Sequence, residues 1–437
     1  MTAEVPTEAP SDPKPDPKPG PKADPEADPK AEPVLIGKPP ENLPKLGAGP
    51  ATRRPRSAAV TVEEVDLRKT ADRKLFLGMV EPIYRGDPNF IMPLWMERMA
   101  YLDPGHNPAF KDLEVRAMVA KKAGKVVGRI TAHLDHAYDR IHETRAGWFG
   151  FFESIDDEAV AHALFDEATS WLVKKGAKDC IGPMNFNTNG QCGLLVSNFD
   201  RPAVIEMTYN PPYYEKLITS FGFAKAKDLY AWWIDISKGT ENPKVARIAK
   251  VAERVRKREG VTLRTLRKSD FQAEVALLFE LYNQAWEKNW GFVPTERAQF
   301  EQIAKDLKPI FREELALVVE LNGKPVGFAL TLPNVNEVMP KNGRLFPFGW
   351  VGVAKLALGL TTPKHARLMV LGMLPAYRKR GLESLLFLET ALRAKAIGVD
   401  SGEISWTLED NHLINRAIES MDGKLDRTYR LFGLDLT

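Results

Sequence analysis

Residues 371–383 read Leu-Gly-Met-Leu-Pro-Ala-Tyr-Arg-Lys-Arg-Gly-Leu-Glu, so an apolar strand, a basic turn and a helix start follow one another directly. Backbone N–H groups at a helix N-terminus, together with the helix dipole, form a site for phosphate oxygens. Gly381 lets the backbone approach an anion closely, and Arg378, Lys379 and Arg380 add positive charge. The turn predicts a site for a nucleotide-like anion, although a solvated basic helix start would show the same residues.

One pattern occurs twice along the chain around this turn. Each copy has a hairpin with a Gly-Lys turn, a strand, a helix ended by glycine, another strand, a short helix and an aromatic-rich strand. Antiparallel hairpins beside a strand–helix–strand unit predict an α/β fold with a mixed sheet covered by helices. The segments are 119–130, 147–152, 159–175, 179–183, 213–221 and 229–236, then 319–330, 368–373, 381–397, 402–407, 413–421 and 429–436.

The repeat divides the chain into three predicted parts. Residues 1–57 are rich in Pro, Lys, Asp and Glu, offer almost nothing to bury and are expected to be disordered. Two domains are expected at 58–238 and 244–437, separated by a Gly-, Thr-, Asn- and Pro-containing stretch. The first copy has Asp156, Asp157 and Glu158 where the second has its basic turn, and negative charge repels phosphate. The first copy is therefore predicted to be degenerate, with a 185–189 loop that either faces substrate or only forms a turn.

Composition limits the possible partners. Lys+Arg of 61 against Asp+Glu of 58 leaves a net charge of +3, so no nucleic-acid partner is expected. Two cysteines, Cys180 and Cys192, exclude a four-cysteine zinc site and favour a reducing, cytoplasmic location. No signal peptide is recognised, and no apolar run reaches the roughly 20 residues of a membrane-spanning helix. The spacing within His133–His142 fits no standard metal site, so no metal is expected.

The basic turn resembles the acyl-CoA motif of the GNAT superfamily of N-acetyltransferases, Gln/Arg-x-x-Gly-x-Gly/Ala. Arg378 and Gly381 match its first and fourth positions, whereas Glu383 stands at the sixth, where a small residue is usual. Its negative charge would weaken coenzyme binding if it pointed inward. Over residues 60–437 the chain also resembles the tandem-domain, bacterial ceramide synthase-like acyltransferases. That likeness rests on residues 182–185, 209–214, 283–294, 403–411, 415–418, 423 and 429–432.

The resemblance implies tandem GNAT domains and acyl-CoA as co-substrate, with no metal. A backbone N–H of strand 371–373 is expected to contact the thioester carbonyl, and Asn411 either orients the pantetheine arm or caps the next helix. The residues expected to hold the coenzyme are Leu371, Met373, Arg378, Lys379, Arg380, Gly381 and Asn411.

Acyl transfer from a thioester to an amine needs a neutral amine and a protonated leaving thiolate. Glu409 lies just past the strand that flanks the coenzyme and Glu337 past a hairpin strand, so each is a candidate base, or an ordinary strand-end carboxylate. Tyr429 stands where many superfamily members place a thiol-protonating tyrosine, and a packed core tyrosine is the alternative.

The acceptor side of the site is predicted from aromatic and amide residues. Residues 345–360 form a largely apolar segment that follows Arg344 and contains Lys355. Such a segment suits an interfacial helix or a lid over a lipid chain, or an insertion packed between the copies. This segment favours a lipid substrate. The residues expected to contact substrate are Asn289, Trp290, Trp350 and Trp406.

Three functional hypotheses follow. The leading one is transfer of a long-chain acyl group from acyl-CoA to the primary amine of a sphingoid base, by a cytoplasmic protein peripherally bound to the inner face of the membrane. Acetylation of a small-molecule or protein amine is the second. A non-catalytic acyl-CoA-binding regulator is the third, and Glu383 and the degenerate first copy make it credible.

Overall fold

The computed structural model describes residues 44–45, 59–287 and 289–437. Most of the tail predicted at 1–57 lies outside these residues. Within that tail, Lys45 forms a β-bridge with Asp435, whose backbone N–H donates to the Pro44 carbonyl at 2.7 Å. Residues 44–45 therefore contact the last strand of the chain.

The strands of the described residues belong to one sheet. Its mixed character was predicted, whereas its continuity through both copies was not. The strands are β1 (Val60–Val65), β2 (Leu113–Lys122), β3 (Lys125–Asp135), β4 (Ala146–Ser154), β5 (Asp179–Gly182), β6 (Leu194–Leu195), β7 (Ala224–Asp235), β8 (Val261–Thr265), β9 (Ala316–Leu321), β10 (Lys324–Pro333), β11 (His365–Met373), β12 (Ser401–Leu408) and β13 (Lys424–Asp435).

The helices of the described residues cover the faces of this sheet and connect its strands. They are α1 (Thr70–Gly78), α2 (Val80–Ile83), α3 (Trp95–Tyr101), α4 (His136–His142), α5 (Glu158–Lys174), α6 (Tyr214–Phe221), α7 (Pro243–Glu259), α8 (Phe271–Trp286), α9 (Arg297–Leu307), α10 (Trp350–Ala357), α11 (Leu382–Ala396) and α12 (His412–Ser420).

The two copies of the sequence pattern have the same local architecture. The hairpin β2–β3 leads to β4, α5 and β5, and the hairpin β9–β10 leads to β11, α11 and β12. In both copies the two strands joined by the long helix pair in parallel. The predicted hairpins, helices and mixed sheet are confirmed.

The last strand of each copy lies in the other copy's half of the sheet. The strand order is β1-β2-β3-β4-β5-β13-β7-β12-β11-β10-β9-β8, with β6 beside β13. β13 thus pairs with β5 of the first copy, while β7 pairs with β12 of the second. Because the exchange makes one continuous sheet, the two copies share a core, and the domain division at residue 238 stays a prediction.

Apolar side chains are buried on both faces of the sheet. A cluster beneath α5 contains Leu164, Phe165 and Leu172. A matching cluster beneath α11 contains Leu382, Leu385 and Leu386 from the first turns of that helix. Cys180 and Cys192 are buried and unpaired. Over the described residues, no helix has the length and apolarity needed to cross a bilayer.

Candidate functional site

The strands β11 and β12 stop pairing part of the way along their lengths, and we call the gap between their unpaired ends the V-shaped cleft. Their parallel pairing begins at His365 and Ser401 and stops at Leu368 and Ile404, although β11 continues to Met373 and β12 to Leu408. The strands on either side of this pair also shift register at the same level. The β10–β11 pairing shifts after Leu330, and the β7–β12 pairing shifts between Ile404 and Thr407. Strand edges that diverge in this way leave backbone groups for an extended ligand.

The basic turn lies at the open end of the cleft, between β11 and α11. Gly381 has φ +86° and immediately precedes α11, where no side chain caps the helix. A Cβ atom at this position would lie 3.0 Å from a methyl carbon of Val255, so both backbone angle and space favour glycine. The uncapped N–H groups and the helix dipole point to an anion site.

The Arg378 guanidinium makes contacts other than the phosphate contacts that its charge predicts. It donates to the Met373 carbonyl at 3.1 Å and to the Ala285 carbonyl, which ties the turn to β11 and α8. Burial lowers the pKa of Arg378, and the Glu383 carboxylate acts in the opposite direction. Glu383 therefore interacts with Arg378, while Lys379 is exposed at the tip of the turn.

The equivalent place in the first copy is closed. Asp157 caps α5 by accepting from the Ala159 N–H at 2.9 Å, and Lys122 pairs with its other oxygen at 2.5 Å. The backbone beyond β5 stays on β4, because the Met184 N–H donates to the Phe149 carbonyl at 2.8 Å. Only the second copy combines an open cleft with an uncapped helix among the two repeats.

The carboxylates proposed from sequence as bases have other partners. Glu409 accepts from the Asp228 N–H at 3.0 Å and pairs with Lys225 at 2.5 Å. Glu337 accepts from the backbone N–H groups of Lys364 and His365 at 2.7 and 3.0 Å. Burial acts to raise the pKa of Glu337, but the hydrogen bonds from the His365 ring and these two backbone N–H groups lower it overall.

Glu403 was not among the site residues predicted from the sequence. Its side chain is 1% exposed, and neither carboxylate oxygen accepts a hydrogen bond. It lies one residue before the end of the β11–β12 pairing, beside Arg367, which donates to the Ser405 hydroxyl at 2.9 Å. Burial raises the pKa of Glu403, against the positive charges of Arg367 and Arg427. The available signal was that Glu403 is the one charged residue of its strand, Ser401–Leu408.

Glu403 and Tyr429 share the face of the sheet opposite α11. Ile404 packs beneath α11, so the alternation of β12 turns Glu403 to the other face, where Arg367 donates to the Ile205 carbonyl at 2.9 Å. Tyr429 is fully buried and its hydroxyl makes no hydrogen bond. Burial raises the pKa of Tyr429, and the charge of Glu403 raises it further.

The remaining predicted site residues lie in separate parts of the structure. Trp290 and Trp406 pack against one apolar cluster beside the cleft, and Asn289 accompanies Trp290 in the turn after α8. Trp350 begins α10, where it is 48% exposed and donates to the Pro347 carbonyl at 3.1 Å. Asn411 accepts from the Ile414 N–H at 3.4 Å and so caps α12.

Leu371 and Met373 belong to the arm of β11 that diverges from β12, and both pack toward α11. Between them, Gly372 faces the ring of Trp286. A Cβ atom at Gly372 would lie 2.2 Å from the nearest carbon of that ring. Trp286 therefore covers the other side of the strand. No group of three or more His, Cys, Asp or Glu side chains that could hold a metal ion occurs in residues 59–287 and 289–437.

The fold matches a tandem GNAT protein from the clavulanic acid biosynthesis pathway, with a TM-score of 0.53 and 12% identity over 86% of this chain and 98% of that one. The chain thus has the fold of a tandem GNAT protein. Two curated relatives are each 36% identical: Protein YghO of Escherichia coli, over 83% of this chain and 92% of the relative, and Bacterial ceramide synthase of Caulobacter vibrioides, over 84% and 96%. The chain belongs to the family of these two proteins, and it is an acyl-CoA-dependent N-acyltransferase of the GNAT type. No family model matches it.

Proposed function

We propose that the protein transfers a long-chain acyl group from acyl-CoA to the primary amine of a sphingoid base. The assignment of acyl-CoA as the acyl donor rests on the V-shaped cleft of the second copy, which has the uncapped N-terminus of α11 at its open end. The sphingoid base is supported by the relative named Bacterial ceramide synthase, which is 36% identical over 84% of this chain.

In this proposal the coenzyme lies along β11. Its pyrophosphate binds the N–H groups that begin α11, with positive charge from Lys379 and Arg380. The pantetheine arm then extends along the edge of residues 371–373, where backbone N–H groups polarise the thioester carbonyl. Arg378 supports the turn through its bonds to Met373 and Ala285 instead of contacting the phosphates.

The proton transfers are assigned to two buried groups on the opposite face of the sheet, Glu403 and Tyr429. The amine nitrogen attacks the thioester carbon, the C–S bond breaks, and an amide and a thiolate form. Glu403 accepts the proton that the amine loses, and the Tyr429 hydroxyl donates a proton to the thiolate. We prefer Glu403 to Glu409 and Glu337 because its carboxylate lacks the hydrogen bonds that occupy those two.

A lipid amine is supported by the segment around α10. Phe346, Phe348, Leu358 and Leu360 have exposed fractions of 71–79%. Residues 338–364 contain four Lys or Arg and no Asp or Glu, which suits the surface of an anionic bilayer. We propose that this segment binds a membrane peripherally.

The same segment borders the cleft. Leu356, on the inner side of α10, packs in one apolar cluster with Met369, the first residue of β11 beyond the paired region. That cluster also contains Ile205, whose carbonyl binds Arg367. A lipid amine leaving the membrane surface at α10 would therefore reach the face that carries Glu403.

The test is release of free thiol by the purified protein. Palmitoyl-CoA and acetyl-CoA are each combined with sphinganine or with polar amines. Turnover of palmitoyl-CoA with sphinganine alone supports the proposal. Turnover of acetyl-CoA with polar amines would replace it by the acetyltransferase hypothesis, and saturable acyl-CoA binding without turnover would replace it by the regulator hypothesis.

A further inference from the structure

A cavity lies beneath α11, on the face of the sheet opposite the Glu403 side chain, and residues 401–404 of β12, Glu403 among them, form part of its lining. Its enclosed volume is about 70 Å³, and it continues into space that opens to solvent. Residues of α7, α11, β7, β10, β11 and β12 line it. Most of them are apolar, and the polar exceptions are Thr331, Thr390, Ser401 and Glu403. Protein interiors are normally close-packed, because each void costs the contacts that its lining atoms lack. This apolar space within the second copy is therefore a candidate binding site.

The cavity begins at the apex of the V-shaped cleft. Leu368 and Ile404, the last paired residues of β11 and β12, both line it. From there its wall follows α11 from Phe387 to Ala394, a distance of about 10 Å at 1.5 Å per residue. It thus runs from the cleft toward the C-terminal end of the helix whose N-terminus forms the anion site.

We propose that this cavity receives the acyl chain of the acyl-CoA, an inference that rests on the proposed function. With the pyrophosphate at the start of α11 and the pantetheine along β11, the thioester lies near the apex and the chain continues past Leu368 and Ile404 beneath the same helix. The alkyl chain of the amine is the other long chain in the reaction. It approaches from the α10 side, where Glu403 lies, so the face of the sheet separates the two chains.

Filling the cavity tests the inference. Ala391 lines it midway along α11 and is half-buried, so a larger side chain enters the cavity without displacing the core. Ala391→Phe should lower kcat/KM for palmitoyl-CoA roughly tenfold or more, because each methylene kept from an apolar site costs about fourfold in binding. Hexanoyl-CoA should be used as well as by the unaltered protein. Ala396→Phe, at an exposed position of the same helix, is the matched control.

An unchanged ratio of palmitoyl-CoA to hexanoyl-CoA turnover in Ala391→Phe would overturn the proposal. A lower preference for long-chain amines at constant acyl chain would also overturn it, since the cavity would then hold the amine. If the variant does not fold, calorimetry on the unaltered protein decides. Affinity should rise with acyl length from acetyl-CoA to palmitoyl-CoA, and a flat series would contradict the cavity assignment. Absence of any turnover with preserved length-dependent binding would contradict only the proposed function.

Discussion

Replacing Glu403 with glutamine should remove catalysis while leaving acyl-CoA binding in place. Glutamine keeps the shape of the side chain, which is 1% exposed, and removes the negative charge that neither hydrogen bond nor solvent satisfies. A positioned general base contributes about 10²- to 10⁴-fold, or roughly 3–5 kcal/mol of activation free energy. We expect kcat with palmitoyl-CoA and sphinganine to fall by that factor and the Kd for acyl-CoA to change little.

The pH profile distinguishes a base from a structural carboxylate. Only the ionised form of Glu403 accepts a proton, so activity should be lost as pH falls through its pKa. Burial raises that pKa, and the acid limb should therefore lie above the ordinary range of a glutamate. Glu403→Gln should lack this limb, and Glu403→Asp should keep it with a reduced kcat.

The free energy of unfolding of Glu403→Gln must be measured together with its kinetics, because Glu403 also offsets the buried charges of Arg367 and Arg427. Removing one partner of a buried ionic group typically costs about 3–5 kcal/mol. Glu274→Gln is the matched control: Glu274 is 4% exposed and pairs with Arg264 at 2.7 Å, on α8. If Glu403→Gln loses as much unfolding free energy as Glu274→Gln but keeps kcat within threefold, the reasoning about the base is refuted.

Three further outcomes are expected. Lys379→Ala with Arg380→Ala should weaken CoA binding about tenfold and reduce its salt dependence in calorimetry; unchanged affinity would remove the turn from the site. Phe348→Ser with Leu358→Ser should abolish cosedimentation with anionic vesicles, since each buried side chain contributes about 1.5–3 kcal/mol, and retained binding would argue against the docking segment. Burial raises the pKa of Asp179 to about 7 from 3.8, so the folded state loses stability as pH rises between these values. Asp179→Asn should gain up to about 4 kcal/mol relative to the unaltered protein over that window in urea unfolding, and a pH-independent difference would contradict it.

Local pattern predicted the repeated elements well. The helix expected at 381–397 is Leu382–Ala396, and the hairpin expected at 319–330 lies within Ala316–Pro333. Glycines in left-handed conformations, such as Gly381 and Gly398, mark helix boundaries, because the residues that favour such angles are few. The role of Arg378 was harder to predict, since its charge indicates a phosphate ligand and its actual acceptors belong to Met373 and to Ala285, far away in sequence.

By itself the sequence determined the repeated elements, the mixed α/β class, the basic turn before α11 and the acidic cap of the first copy. Each of these depends on residues close together in the chain. Only the tertiary structure decided the exchange of β7 and β13, the point at which β11 and β12 separate, and the burial of Glu403 without a hydrogen bond. These depend on pairing between strands that are distant in sequence, and the alternation along a strand does not specify its neighbours.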